Sequence, residues 1–141
     1  MSKDLELAKS YLNDGATCCV VLDGQATVSR LTGIRPVLEW IKEGKDLSGC
    51  AVADKIVGKA AALLFVLAKV GEVYAGVLSQ AGKAVLEQAN IPCHFGELTE
   101  RIINRRGDDI CPMEKTVSDI DDPKQAYRAL SAKVAGALAS K

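Results

Sequence analysis

Apolar residues recur at helical spacing near the start of the chain, at Leu5, Leu7, Ala8, Tyr11 and Leu12. That stripe predicts a helix over Asp4–Leu12, closed by Asn13-Asp14-Gly15. Thr17–Leu22 is different, an unbroken apolar and β-branched run such as a strand covered on both faces carries. Asp23-Gly24 is a hairpin signal, and Gln25–Leu31 is expected to pair back as the second strand. Thr32-Gly33 interrupts the pattern. Pro36 then opens a helix to about Glu43, with Val37, Leu38, Trp40 and Ile41 apolar and Gly44 at its end.

The middle of the chain alternates. Cys50–Ala53 reads as a short strand, with Asp54 as the N-cap of a helix over Lys55–Lys69 that stops at Gly71. That helix is apolar nearly all round, so it belongs at the centre of the fold, packed on both sides. Val73–Leu78 is a buried strand with Ser79 at its carboxyl end. A helix over Gln80–Gln88 follows, ended by Asn90 and Pro92, and Cys93–Leu98 is one more strand. Loops and a Cys-Pro-Met-Glu turn lead to a last helix over Pro123–Leu138, whose start Asp119, Asp121 and Asp122 charge favourably. A hairpin followed by alternating helix and strand predicts an α/β fold, a three-layer α/β/α sandwich on a mixed sheet. With no internal repeat or linker, residues 1–141 read as one domain.

Composition narrows the function. Lys plus Arg and Asp plus Glu number 18 each, which argues against nucleic acid or an anionic membrane as an electrostatic partner. Apolar residues make up 48% but aromatics only 4%, so base-stacking platforms are scarce and the core rests on Ala, Val, Leu and Ile. Met1–Ala8 is charged, unlike a secretory signal, and Ala60–Ala68 is too short to span a bilayer. A cytoplasmic protein is expected. Its five cysteines suit a reducing compartment, and none forms a Cys-x-x-Cys pair. Cys18 and Cys19 should face opposite sides of a strand, and no metal or cofactor is expected.

Chemistry concentrates around Gly49–Leu64, where Asp54, Lys55 and Lys59 stand at the mouth of an otherwise buried segment. Lys59 suits an anchor for an anion, a base, a Schiff-base nucleophile or a lysine snorkelling to solvent. Asp54 reads as a cap before a general base, and Lys55 as solvated, paired or ligand-facing. Ser79 lies where open α/β sheets bind ligands, and capping its helix is compatible with that. Asn104 and Arg105 suit a bidentate hold on phosphate or carboxylate. Cys111 is a reactive thiol if Arg105 or Lys115 lowers its pKa, and a structural cysteine otherwise. Glu114 would pair with Arg105 or Lys59, or serve as the acid/base.

Three motifs carry a family resemblance: Ala53-Asp54-Lys55 with Val57-Gly58-Lys59-Ala60-Ala61-Ala62, Ile103-Asn104-Arg105, and Cys111-Pro112-Met113-Glu114. They resemble the DUF1893 family of uncharacterised prokaryotic proteins, and the element order resembles the cytidine-deaminase-like fold. Deaminases of that fold place His or Cys, then Ala and Glu, at one helix start and Pro-Cys-x-x-Cys at the next, around zinc. The resemblance puts Val57 at the first ligand, Lys59 at the glutamate, and Ser79 and Gly82 at the cysteines, so zinc chemistry is not expected.

The expected site is a small-ligand pocket between the starts of the two central helices, taking an anionic or nucleotide-like molecule. Asp54, Lys55 and Ser79 would line it, with Asn104 and Arg105 closing over it. If it is an enzyme, it is metal-free, with Lys59, Cys111 and Glu114 as the active groups. The alternatives are a non-catalytic regulatory module and a thiol redox protein using Cys111. Analogy with the fold allows a homodimer.

Overall fold

Two parallel crossovers behind an antiparallel hairpin build one five-stranded sheet. In the computed structural model, which describes residues 1–104 and 107–139, α1 spans Lys3–Asn13, and the hairpin strands β1 and β2 span Cys18–Leu22 and Gln25–Ser29. Helix α2 covers Arg35–Lys42 and leads to β3 (Ala51–Val57), α3 (Lys59–Ala68) and β4 (Glu72–Ser79). Then come α4 (Gln80–Gln88), β5 (Cys93–Thr99), the short α5 (Pro112–Thr116) and α6 (Pro123–Ala139).

The sheet order is β2-β1-β3-β4-β5. Strand β1 pairs antiparallel with both β2 and β3, whereas β3, β4 and β5 run parallel. Parallel neighbours need long crossovers, and α3 and α4 supply them. Helix α1 covers one face, where Ala8 packs with Cys19, Val21 and Ala53. The other face carries the larger core, where Cys18, Val52, Val73 and Ala75 meet Leu38 of α2, Phe65 of α3, Leu86 of α4 and Leu130 of α6. The result is the expected three-layer α/β/α arrangement, and Cys18 and Cys19 do face opposite layers.

Helix α3 is central, as its composition requires: Ala60 through Phe65 are all buried. Its start differs from the sequence expectation. Strand β3 runs on to Val57, and the helix begins four residues late, at Lys59. The reason is the parallel ladder, which pairs Asp54 with Ala75, Ile56 with Val77 and Val57 with Leu78. Ladder hydrogen bonds there outweigh the local capping preference of an aspartate, so Asp54 is a strand residue and not an N-cap. The final helix is capped as its acidic approach suggests, with Asp122 accepting from the Gln125 N–H at 2.9 Å. Among the described residues, no helix is long and apolar enough to cross a membrane.

Helix α6 is part of the core and not an appendage, since Ala126 and Leu130 are fully buried. Truncating Leu130 to alanine is expected to cost about 2–5 kcal/mol, the usual range for a fully buried leucine, in urea unfolding. A cost under about 1 kcal/mol would mean that α6 does not pack as described.

Candidate functional site

Strands β3 and β4 both end where a helix begins, and the two helix starts touch. A methyl group built on Gly82, in the first turn of α4, would lie 3.0 Å from the Gly58 carbonyl. Each start leaves backbone N–H groups without partners inside its own helix. In α4 the sequence solves this locally: Ser79, 1% exposed, accepts from the Gly82 N–H at 3.0 Å. In α3 it does not, because the N-cap is Gly58 and no side chain of that segment caps the helix.

The cap comes from Glu114 on α5. Its carboxylate accepts from the Lys59 N–H at 2.7 Å and from the Ala60 N–H at 2.8 Å. A negative charge there is favoured twice, by charge-assisted hydrogen bonds and by the helix dipole. Glycine at 58 leaves room for this cap, because a Cβ would collide with the Glu114 carboxylate and displace it. Of the partners expected for Glu114, Lys59 meets it through the backbone and not the side chain, and Arg105 lies outside the described residues. The Lys59 ammonium reaches the other way, donating to the Ser118 carbonyl at 3.2 Å and pairing with Asp121 at 3.0 Å. It is neither free nor fully snorkelled, with 15% of the side chain exposed.

Above these two starts lies a cleft of about 450 Å³. It is lined by Lys59, Ser79 and Ala81 at the helix starts, by Glu100, Arg101 and Ile102 after β5, and by Ile110, Glu114, Lys115 and Ser118 around α5. It sits at the carboxyl ends of parallel strands, where open α/β sheets hold ligands. Arg101 was not picked out from sequence, although its place two residues beyond the end of β5 was a usable signal. Lys115 entered only as a neighbour of Cys111; it lines the cleft and pairs with Asp109.

The structure thus gathers Lys59, Ser79 and Glu114, and separates them from Asp54, Lys55, Asn104 and Cys111. Lys55 faces a groove of about 320 Å³ on the opposite layer, with Lys9, Asn13 and Tyr74, where the Lys9 ammonium lies 4.6 Å from the Tyr74 ring centre. Asn104 builds a turn: its side-chain oxygen accepts from Gly107 and Asp108 N–H groups, and its amide donates to Asp108. Cys111 is half-buried at the start of α5 and does not line the cleft. Arg105 lies outside the described residues. Among the described residues, no three His, Cys, Asp or Glu side chains gather as a metal site.

Asp54 is the outlier. It pairs across the sheet with Cys18 and is 5% exposed, a carboxyl inside the main core layer. Burial pushes its pKa up to about 8, only partly offset by the Ile56 and Lys55 backbone N–H groups. Burial, and then Asp54, push the Cys18 thiol up as well, so Cys18 is a poor nucleophile.

Comparison with known proteins places this architecture. The model of a domain of unknown function, DUF1893, matches residues 7–134. The crystal structure of a DUF1893 family protein from Thermotoga maritima is similar, with a TM-score of 0.84 and 27% identity over 94% of this chain and 92% of that one. A diaminohydroxyphosphoribosylaminopyrimidine deaminase/5-amino-6-(5-phosphoribosylamino)uracil reductase from the same organism gives a TM-score of 0.48 at 15% identity, over 81% of this chain and 40% of that one. That likeness is too slight to support an inference. No curated protein matches the sequence.

The burial of Asp54 sets a pH dependence. The unfolded chain releases this proton near the ordinary 3.8, whereas the fold holds it to about 8. Between those values the folded state binds more protons, so this group's contribution is fully favourable below the lower value and is lost as pH rises through the higher one. The slope is at most about 1.4 kcal/mol per pH unit. In Asp54→Asn that component disappears, so the variant gains stability relative to the parent from pH 5 to pH 7.5 in urea unfolding. Parallel pH profiles for the two proteins would show that Asp54 titrates normally.

Proposed function

The chain belongs to the DUF1893 family, and from the geometry of its cleft we propose that it binds a small anionic molecule, of the phosphorylated-metabolite or nucleotide class. The observation that carries this reading is that Arg101 and Lys115 both line the cleft at two abutting helix starts. The Arg101 and Lys115 side chains, the Ser79 hydroxyl group and the start of α4 favour negative charge, against the Glu100 carboxylate and the Glu114 carboxylate that already caps α3. The cleft volume, about 450 Å³, suits a small metabolite and not a polymer.

The deaminase-like resemblance implies zinc, and the residues at those positions do not fit it. Val57 is fully buried and apolar, and Gly82 has no side chain. The Ser79 oxygen is committed to the Gly82 N–H. The deaminase glutamate position holds Lys59, whose ammonium is engaged by Ser118 and Asp121. No reaction step is therefore assigned to a metal.

Binding without turnover is favoured over catalysis, because the groups best suited to chemistry are already occupied in structural contacts. Lys59 and Glu114 each hold partners within the protein, and Cys111 stands outside the cleft. A regulatory or carrier role follows more naturally than a metal-free enzyme.

Adenosine monophosphate and ribose 5-phosphate are suitable probes, followed by amide NMR shifts. The expected result is saturable change centred on residues 59–60, 79–82 and 100–102. Arg101→Ala should weaken binding about fivefold or more through loss of a charge-assisted contact, without loss of folding. Absence of localised shifts with both probes, or an Arg101→Ala variant that binds equally well, would sink the proposal.

A further inference from the structure

Helix α5 contributes no buried residue, yet it forms part of the wall that closes the cleft. From Ile110 to Thr116 every residue is exposed or half-buried, and only Met113 leans on the core. The next residue, Val117, is fully buried. A segment with so little apolar anchoring opens more cheaply than the body it rests on. Its attachment to α3 is polar: the Glu114 carboxylate on the Lys59 and Ala60 N–H groups. At its front the segment is anchored to the strip after β5, where Ile103 bridges Ile110 and the Cys111 N–H donates to the Ile102 carbonyl, and Lys115 pairs with Asp109 beside that anchor. Beyond Val117 the chain is held again, where Lys59 donates to the Ser118 carbonyl.

We propose that α5 is a lid over the cleft, pivoting between its anchors at Ile110 and Val117 and clasped shut by Glu114 on the start of α3. Its gating role rests on the cleft being a ligand site; its opening does not. The clasp has two halves, the carboxylate and the space left by Gly58. Gly58 has φ −107° and ψ −167°, a conformation that alanine adopts freely. Gly58→Ala therefore evicts Glu114 by collision without straining the backbone, whereas Glu114→Ala deletes it.

The cysteines report the opening. Cys111 and Cys93 are both half-buried, and Cys93 lies on β5, outside the lid, while Cys18, Cys19 and Cys50 are buried. Labelling of the ligand-free protein with N-ethylmaleimide, resolved by peptide mass spectrometry, gives each rate. Gly58→Ala and Glu114→Ala should each speed Cys111 about tenfold or more relative to Cys93, as expected for losing two charge-assisted hydrogen bonds. The double variant should be no faster than the faster single one, because both changes remove one contact. Adenosine monophosphate should also associate faster with the single variants.

Unchanged Cys111 labelling would overturn the lid, and so would acceleration of all five cysteines together, since Glu114 would then only cap α3. Faster labelling with unchanged association of a bound probe would overturn its gating role. A parent protein that binds neither probe overturns the ligand reading alone, because the labelling result is obtained without ligand.

Discussion

A helix made almost wholly of Ala, Leu, Val and Phe cannot cap itself, and the arrangement of the cleft follows from that constraint. Helix α3 is buried through its first two turns and starts behind a glycine. Its leading N–H groups therefore need an acceptor from elsewhere, or the burial that stabilises the helix would leave polar groups unpaired. Glu114, 55 residues away, provides it with both carboxylate oxygens. The segment between β5 and α6 is thereby drawn across the ends of the parallel strands, and the cleft exists because it lies there. Lys59 joins the same system from its other end, through Ser118 and Asp121.

The second constraint works against stability. A carboxyl group at Asp54 lies among apolar neighbours on the main core layer, and the fold favours its protonated form. Burial of this kind is costly at neutral pH and would be removed by a change to an amide or an apolar residue. The carboxyl does not line the cleft, so its chemistry is separate from that of the site.

Much of the fold was legible because periodicity and punctuation agreed with tertiary context. Gln80–Gln88 is helical at the predicted bounds, since Ser79 caps it and its Gly82 permits the close approach to α3. The boundary at Asp54 failed because a parallel ladder extends β3 three residues beyond it, and pairing partners are not visible in a local window. The site was half legible. Ser79, Lys59 and Glu114 could be found from their places at element ends. Lys55 was misplaced with the helix boundary: as the first residue of the expected helix it stood at the site, whereas on β3 it faces the opposite layer. The role of Glu114 was hidden because a cap supplied from 55 residues away leaves only one local trace, the glycine at 58.

The most direct measurement is the amide proton shift of Lys59 and Ala60 in the free protein and in Glu114→Gln. If the carboxylate caps α3 as described, both protons resonate downfield in the parent and move upfield together in the variant, while the Gly82 amide, capped by Ser79, stays in place. Lys59 and Ala60 shifts indifferent to the charge at 114 would contradict the account, because the cleft, its lid and the course of α5 all depend on that contact.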